Sequence, residues 1–314
     1  MLLSGHPCDL LCVGRVGVDL YPTEIGLPLE RVGTFGKYLG GSAGNVAVAG
    51  ARFEHRVALI SKTGNDPFGR FVHEELRENG VDDCFVGLDS ASPTPVTFCE
   101  IFPPDHFPLI FYRTEHSPDL QLHSDSLPME FIRTARIFWA TLTGLSAEPS
   151  RSAHLAALAA RGRQQWTILD LDYRPKFWPA GGGREQAQAA LQYCDVAIGN
   201  MEECYIATGL TEPHAAAEAL LGMGVKLAVV KQGERGSLAM SADQTIEVPT
   251  FKVDVMNGLG AGDAFGGSFC HGLLEGWDLE RTLLFANAAG ALVASKIECS
   301  AAMPSEEQVL ALIG

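Results

Sequence analysis

One carboxylate, Asp263, lies in the stretch GLGAGDAF (residues 258–265), where glycine and alanine make up most of its neighbours. An apolar helical pattern follows, which places the acid at the start of a predicted helix. Glycine lets a ligand approach bare backbone N–H groups, and a helix N-terminus attracts anions. A carboxylate held there would repel a phosphate. The pattern therefore indicates either that Asp263 performs chemistry beside an anion or that the glycines serve only close helix packing.

A second glycine-rich stretch, GGSAGNVAVAGA, covers residues 40–51. Gly40 and Gly41 permit a tight turn, and Asn45 brings a hydrogen-bond donor and an acceptor to the start of a helix of small residues. Taken alone, this stretch is also typical of helices that pack closely against a neighbour.

The stretch GNMEE (residues 199–203) places Asn200 and Glu203 three residues apart, directly after a predicted strand. On the first turn of a helix, these side chains could share one face and hold a hydrated Mg²⁺. The alternative is a capping box, in which the same side chains satisfy backbone N–H groups at the helix start. Two other phosphate-binding patterns are missing. GNDPFGR (64–70) lacks the lysine and hydroxyl of a P-loop, and GLGAGD has Asp263 where a dinucleotide-binding motif has its last glycine.

The composition limits the classes of partner. The 314 residues carry a formal net charge of -15, which argues against a nucleic-acid or anionic-membrane surface because phosphates need lysine and arginine. This charge still permits a small anionic substrate held by a few arginines and a metal ion. The eight cysteines form no CxxC pair and fit buried free thiols. No apolar run is long enough to span a bilayer and the N-terminus lacks a basic signal region, so we expect a soluble, cytoplasmic protein.

Short apolar runs alternate with amphipathic helical patterns, as expected for a parallel sheet with helices on both faces. The runs predict strands at residues 9–14, 56–61, 135–142, 165–172, 195–200 and 226–233, and the chain is almost entirely helical from Ala261 onward. Two segments, 18–38 and 94–114, are rich in aromatic and β-branched residues and lack a helical period. We expect them to form a small separate sheet that acts as a lid. The prediction is an α/β fold with one domain over residues 1–314 and a discontinuous lid.

The three motifs, in this order, resemble the signatures of the ribokinase (PfkB) carbohydrate kinase family. GGSAGNVA resembles the first family signature, NGLGAGDAF the second, and the NxxE at 200–203 lies between them, where the family has its metal-associated motif. The βα pattern and the two insertions fit as well, so the resemblance covers essentially the whole chain. It implies a three-layer α/β/α fold with a mostly parallel central sheet and a β-sheet lid.

The resemblance also implies an activity, in which the enzyme transfers the γ-phosphate of ATP to a sugar hydroxyl with Mg²⁺. Asp263 would be the general base, and the N–H groups of Gly260, Ala261 and Gly262 would stabilise the transferring phosphoryl group. The matching positions for sugar binding are Asp19, Gly41 and Asn45. The matching positions for the nucleotide are Lys231, Gly233, Gly236 and Asn287. Lys231 could equally be a surface lysine at a strand end.

The chain departs from the family pattern before the second signature. Many members have Asp-Thr-Thr there and bind a monovalent cation beside that loop, whereas this chain has Asn257, Gly258 and Leu259. The difference puts K⁺ activation in doubt. The stretch ATLTGLS lacks the substrate-binding glutamate of ribokinase itself, which argues against ribose as the substrate.

Two arginines point to an acidic sugar. Arg174 follows a predicted strand in LDLDYRPKFW, and Arg113 lies in the lid segment PLIFYR. Arginine suits carboxylates because its planar fork donates two parallel hydrogen bonds. Both stretches resemble kinases of keto-deoxy sugar acids, and the resemblance implies phosphorylation of 5-dehydro-2-deoxy-D-gluconate, an intermediate of myo-inositol catabolism. The alternatives are 2-keto-3-deoxygluconate, another sugar as in fructokinases, and an inactive sugar-acid sensor. Structural salt bridges for both arginines also remain open, and the apolar lid strands suggest a homodimer formed through the lid.

Overall fold

The main sheet passes through the middle of the molecule. The structure, a computed structural model, describes residues 8–164, 166–178 and 182–314, so residue 165 of one predicted strand lies outside the described ranges. In those ranges the strand order is β14-β13-β12-β11-β10-β9-β1-β4-β5, with β6 also paired to β4. These strands are β1 (Leu10–Val13), β4 (Val57–Gly64), β5 (Val81–Asp82), β6 (Val86–Asp89), β9 (Ile137–Thr141), β10 (Thr167–Asp170), β11 (Val196–Asn200), β12 (Leu227–Lys231), β13 (Ser237–Ser241) and β14 (Thr245–Val248).

All pairs from β5 to β12 are parallel, and only β13 and β14 add antiparallel edges. The six predicted strands are confirmed as β1, β4, β9, β10, β11 and β12; five have somewhat narrower bounds than predicted, and β4 extends three residues further, to Gly64. Their near-continuous apolar runs are typical of strands that are covered on both faces. In β1, for example, Leu11 and Val13 face one core while Leu10 and Cys12 face the other.

Helices cover both faces of this sheet, which gives the predicted three layers. One face packs against α1 (Ser42–Ala51), α2 (Pro67–Glu78), α8 (Ala261–Glu275) and α9 (Leu279–Ala294). The other face packs against α3 (Met129–Thr134), α4 (Ser150–Arg161), α5 (Gly182–Leu191), α6 (Met201–Thr208) and α7 (Pro213–Gly222). The last helix, α10 (Glu306–Ile313), packs beside α9.

A second, smaller sheet is built from the two predicted insertions. Its strands are β2 (Gly17–Pro22), β3 (Phe35–Gly40), β7 (Val96–Cys99) and β8 (Leu109–Tyr112), in the order β3-β2-β7-β8. The register pairs Gly17 with Gly40, so the hairpin of β2 and β3 returns the chain directly to the start of α1. The smaller sheet therefore connects to the same end of the main sheet at which β1 finishes.

Among the described residues, no helix is both long and apolar enough to cross a bilayer. All eight cysteines are free, and all except Cys84 are buried, as the sequence predicted.

Candidate active site

Asp263 lies in the first turn of α8, directly after Gly260, whose backbone is left-handed with φ 82°. A Cβ on Gly260 would lie 2.7 Å from the sulfur of Cys299, so only glycine fits this turn. Because Gly260 has no side chain, it cannot cap the first N–H groups of α8, and no side-chain cap is made there in the part of the chain that the structure describes. The local sequence thus leaves donors uncapped beside a carboxylate.

Close packing of α1 against α8 brings Asn45 to Asp263. A Cβ on Gly267 would lie 2.4 Å from the Cβ of Ala49, so the glycine allows the two helices to approach. The Nδ2 group of Asn45 donates a hydrogen bond of 2.8 Å to Oδ2 of Asp263. Burial raises the pKa of Asp263 to about 6, and the Asn45 hydrogen bond works in the opposite direction. Close packing, one of the two alternatives for the glycine-rich motifs, therefore brings Asn45 into contact with Asp263, and the chemical role of Asp263 stays a prediction.

Lys231, at the end of β12, faces the same turn of α8. Its Nζ lies 3.2 Å from where a Cβ of Gly262 would stand, and its side chain is only 17% exposed. Although burial opposes the effect, the carboxylates of Asp170 and Glu203 raise the pKa of Lys231. Lys231 is thus mostly buried beside this turn, and its contact with a nucleotide stays a prediction. A cation and the uncapped N–H groups of α8 lie close together and form a site suited to an anion.

Asn200 and Glu203 form the capping box that the sequence left as an alternative. Asn200 Oδ1 accepts a hydrogen bond of 2.9 Å from the backbone of Glu203, and Glu203 Oε2 accepts one of 2.7 Å from the backbone of Asn200. The other carboxylate oxygen of Glu203 lies 3.5 Å from Nη1 of Arg174. Its metal role stays a prediction, since capping and outer coordination of an ion can coexist.

Two carboxylates at the end of β10, Asp170 and Asp172, belong to this site although the sequence analysis did not single them out. Asp172 Oδ1 pairs with Arg174 Nη2 at 2.9 Å. Although burial opposes the effect, Arg174 and Arg15 lower the pKa of Asp172 to about 2. Asp170 behaves differently, because burial and the neighbouring Glu203 raise its pKa well above the usual range despite Lys231. The stretch LDLDYR carried the signal, since both acids follow a strand whose carboxyl end must face the ligand.

Arg174 thus lies between Asp172 and Glu203, and its side chain is 32% exposed. Its buried Nε has no hydrogen-bond partner among the described residues. The predicted contact of Arg174 with a substrate carboxylate stays a prediction. Its two Nη groups already contact the carboxylates of Asp172 and Glu203.

Asp19 lies in β2 of the smaller sheet and is buried against β3. A Cβ on Gly40 would come within 2.1 Å of its carboxylate, which explains the glycine at that position. Burial raises the pKa of Asp19, against the effect of nearby Arg15. Tyr21 donates a hydrogen bond of 2.9 Å to Asp19 and contacts the sulfur of Cys299 at 2.7 Å.

Cys299 therefore connects the smaller sheet with the main site, because it also packs against the turn at Gly260. Gly41 begins α1 with φ 99°, and a Cβ there would lie 2.5 Å from the carbonyl of Arg15. The predicted substrate residues Asp19, Gly41 and Asn45 consequently lie around the same end of β1 as Asp263. Arg15 is a further residue of this region that the sequence analysis missed.

Arg113 is held in a buried ion pair. Its Nη2 lies 2.6 Å from Asp119 Oδ2, and the two side chains are 2% and 1% exposed. Its guanidinium also stacks over Phe177, with 4.3 Å between the guanidinium carbon and the ring centroid. A structural salt bridge, left open by the sequence, is therefore what the structure shows, and the contact with substrate stays a prediction.

The three remaining nucleotide positions lie beside β12 and β14. Gly233 and Gly236 have φ of 61° and 94°, and a Cβ on Gly236 would come within 2.0 Å of the carbonyl of Val248. Asn287, on α9, donates a hydrogen bond of 3.0 Å to that same carbonyl. The turn after β12, the end of β14 and α9 are thereby held together.

The chain matches known proteins over nearly its whole length. The model of the pfkB family carbohydrate kinases matches residues 8–306. A 5-dehydro-2-deoxygluconokinase of Clostridium tetani is 36% identical, over 96% of this chain and 92% of its own length. One of Shouchella clausii is 32% identical, over 99% of this chain and 97% of its own.

Solved structures show the same fold. A fructokinase of Xylella fastidiosa with bound ATP has a TM-score of 0.85 and 27% identity, with 97% of each chain covered. A candidate ribokinase II of E. coli, solved with ATP and Mg²⁺, has a TM-score of 0.89 at 22% identity, over 98% of this chain and 99% of its own. The family model, the full-length relatives and the placement of Asp263 in an uncapped helix turn lead to one conclusion: the chain belongs to the pfkB family of carbohydrate kinases.

Proposed function

We propose that this carbohydrate kinase uses ATP to phosphorylate a hydroxyl group of a sugar acid, 5-dehydro-2-deoxy-D-gluconate. The observation that carries the proposal is the position of Asp263, hydrogen-bonded to Asn45 on one side and next to Gly262 and Lys231 on the other. The full-length relatives of that name supply the substrate class. We place the reaction in the cytoplasm, in keeping with its use of ATP.

Asp263 is the general base in this proposal. It accepts the proton of the sugar hydroxyl as that oxygen bonds to the γ-phosphorus of ATP, and the bond from phosphorus to the bridging oxygen of ADP breaks. A base needs to be ionised at working pH and yet able to hold a proton, and a pKa of about 6 satisfies both conditions. The Asn45 hydrogen bond holds the carboxylate in one orientation.

The transferred phosphoryl group would lie at the N-terminus of α8. The backbone N–H groups of Gly260, Ala261 and Gly262 are available there, and the helix dipole favours negative charge. Lys231 adds a full positive charge at the same turn. These donors are already in position, so they can stabilise developing charge without reorganisation.

The carboxylates around Lys231 fit a divalent ion. Three carboxylates lie close enough to one another or to Lys231 to shift the pKa values of these groups, namely those of Asp170, Asp172 and Glu203. Carboxylate oxygens are the ligands that Mg²⁺ prefers. We propose that Asn200, Glu203 and the acids at the end of β10 hold hydrated Mg²⁺ with the phosphates of ATP. When bound, Mg²⁺ neutralises charge on the phosphate oxygens. Gly233, Gly236 and Asn287 would border the nucleotide base.

The sugar acid would lie between the smaller sheet and α8, with Asp19, Gly41 and Asn45 on its hydroxyls. Arg174 is our candidate for its carboxylate, because its guanidinium side chain stays 32% exposed beside the site. Arg113 would reach the same carboxylate only by sharing its guanidinium with Asp119.

We further propose that the enzyme does not need K⁺. The Nδ2 group of Asn257 donates a hydrogen bond of 2.6 Å to the carbonyl of Ile297, and its Oδ1 accepts one of 3.0 Å from the backbone of Leu259. An amide can join these two loops without a cation, whereas an aspartate there would place a carboxylate against a carbonyl oxygen. Activity in Na⁺, K⁺ and tetramethylammonium buffers should therefore agree within about twofold.

The smaller sheet is our candidate for a dimer contact, because Ile110 and Tyr112 on β8 are 38% and 68% exposed. Light scattering of the wild type and of Tyr112→Glu tests this proposal. A wild type that is monomeric at every concentration would contradict it.

The substrate is tested by a coupled ADP-release assay with 5-dehydro-2-deoxy-D-gluconate, 2-keto-3-deoxygluconate, fructose and ribose. We expect the highest kcat/KM on 5-dehydro-2-deoxy-D-gluconate, with Asp263→Asn as the inactive control. Equal or better turnover of 2-keto-3-deoxygluconate would reassign the enzyme, and binding without turnover would support a sensor.

A further inference from the structure

A group of metal-binding side chains lies at the opposite end of α8 from Asp263. It consists of His55, between α1 and β4, and of His271 and Glu275 on α8. His271 is eight residues beyond Asp263, about 12 Å along the helix axis. We propose that these three side chains bind one divalent transition-metal ion of the Zn²⁺ type, at a site separate from the kinase reaction.

The geometry of the two histidines supports this proposal. Nε2 of His55 lies 2.8 Å from Nδ1 of His271, a separation at which the two rings share one proton. Two nitrogens bound to tetrahedral Zn²⁺ are about 3.3 Å apart, given Zn–N bonds of about 2.0–2.1 Å. The rings therefore need to separate by about half an ångström and to turn so that both lone pairs point at the ion.

Glu275 completes the set because it is four residues after His271, on the same face of α8. One potential ligand atom from each of the three residues lies within 4.8 Å of the others. Glu275 is exposed, so its side chain is free to change rotamer and bring an oxygen closer. Two imidazoles and one carboxylate form a common donor set for zinc with one position left for water.

Aromatic side chains pack around the ring of His271 and orient it. Its ring stacks on Phe53, with centroids 4.6 Å apart, and Trp277 meets it edge-on at 4.9 Å. Its other nitrogen, Nε2, is buried, has no hydrogen-bond partner among the described residues and lies 3.8 Å from the carboxylate of Glu306. A metal-bound histidine usually donates its second N–H to a carboxylate, and the 48% exposed Glu306 side chain would need to move closer to accept it.

The proton balance is simple. With its proton on Nε2, facing Glu306, His271 presents the lone pair of Nδ1 towards His55. Binding then requires only that His55 moves its proton from Nε2 to Nδ1. Burial lowers the pKa of both rings, against the effect of Glu275 and, at His55, of Asp9. Arg136 near His55 and Arg281 near His271 act in the same direction as burial. The lowered pKa values favour the neutral imidazole, which is the form that metals bind.

The bound ion would connect the two helices that carry the catalytic pair. His55 follows α1, which carries Asn45, while His271 and Glu275 belong to α8, which carries Asp263. A metal at this end would thus hold α1 and α8 together at the end opposite the Asn45–Asp263 hydrogen bond. Its expected effect is on thermal stability.

The test is a Zn²⁺ titration of the full chain by calorimetry, in excess Mg²⁺ so that the oxygens of the kinase site are occupied. We expect one Zn²⁺ per chain, a rise in Tm on adding Zn²⁺, and with Co²⁺ the visible absorption of a four-coordinate ion. His55→Ala and Glu275→Gln should each weaken binding at least about tenfold, and Glu306→Gln about tenfold.

The matched control is His214→Ala, which removes a partly exposed histidine that contacts two carboxylates, Glu212 and Glu247. This variant should bind Zn²⁺ like the wild type. Circular dichroism checks that His55→Ala and Glu275→Gln are folded. The proposal is overturned if the wild type binds no Zn²⁺ in excess Mg²⁺, or if folded His55→Ala and Glu275→Gln bind it with unchanged affinity. The group would then be only a hydrogen-bonded pair of histidines beside a surface acid.

Discussion

Removing the hydrogen bond from Asn45 should move the pH dependence of the reaction. In the wild type, the Asp263 carboxylate accepts this hydrogen bond at 2.8 Å and has a pKa raised by burial to about 6. The hydrogen bond stabilises the ionised form, so its loss in Asn45→Ala raises the pKa further. A base acts only when ionised, and activity should therefore be lost at low pH and recovered at high pH.

The size of the effect follows from the energy of the contact. A hydrogen bond to a charged group contributes about 1.5–3 kcal/mol, and partial exposure of Asp263 favours the lower end. Since about 1.4 kcal/mol corresponds to one pH unit, the pKa should rise to about 7–7.5. At pH 6 the ionised fraction then falls from about one half to less than one tenth, so kcat falls about five- to fifteenfold. At pH 9 Asp263 is ionised in the wild type and in Asn45→Ala, so this loss of kcat disappears.

The assay is kcat at saturating sugar acid and MgATP from pH 5.5 to 9, with wild type and variant measured together so that ionisation of ATP affects both equally. Ser42→Ala is the matched control. It also removes a polar side chain from the start of α1, but the hydroxyl of Ser42 donates to Asp172 at 2.6 Å rather than to Asp263. We expect its profile to follow the wild type. If Asn45→Ala lowers kcat by the same factor at every pH, titration of Asp263 does not limit the reaction and our account of the base is wrong.

Four further variants test other parts of the site. Asp263→Asn should lower kcat by about 10² to 10⁴ while ATP affinity stays within a few-fold, and a loss of tenfold or less in the coupled assay would show that Asp263 is not the base. Asn200→Ala and Glu203→Gln should weaken the dependence of activity on Mg²⁺. If they lower only the free energy of unfolding, by about 0.5–2 kcal/mol in urea, the residues serve as a helix cap alone. Arg113→Ala should lower the free energy of unfolding by about 3–5 kcal/mol, because Asp119 stays buried without its partner. If stability is unchanged and only kcat/KM on the sugar acid falls, Arg113 binds substrate instead.

Much of the fold could be predicted from the sequence because its signals are local. Buried parallel strands are recognisable as apolar runs, and six of them were predicted with bounds close to those observed. The smaller sheet was visible as two segments without a helical period, since extended strands and amphipathic helices have different spacings of apolar residues. The place of Asp263 at a helix start was equally local, since glycine and a following apolar pattern identify a helix boundary.

Only the tertiary structure decided which side chains meet. Asn45 and Asp263 are 218 residues apart in sequence and become neighbours because glycines let α1 and α8 pack closely. The sequence predicted the same role for Arg113 and Arg174. In the structure, Arg113 is buried in an ion pair with Asp119, whereas Arg174 is partly exposed between Asp172 and Glu203. The physical reason is that pairing, burial and pKa depend on distances between elements that are remote in the chain. The sequence by itself determined the local structure and the chemical types, whereas the packing of helices and sheets determined the charges and contacts through which those residues act.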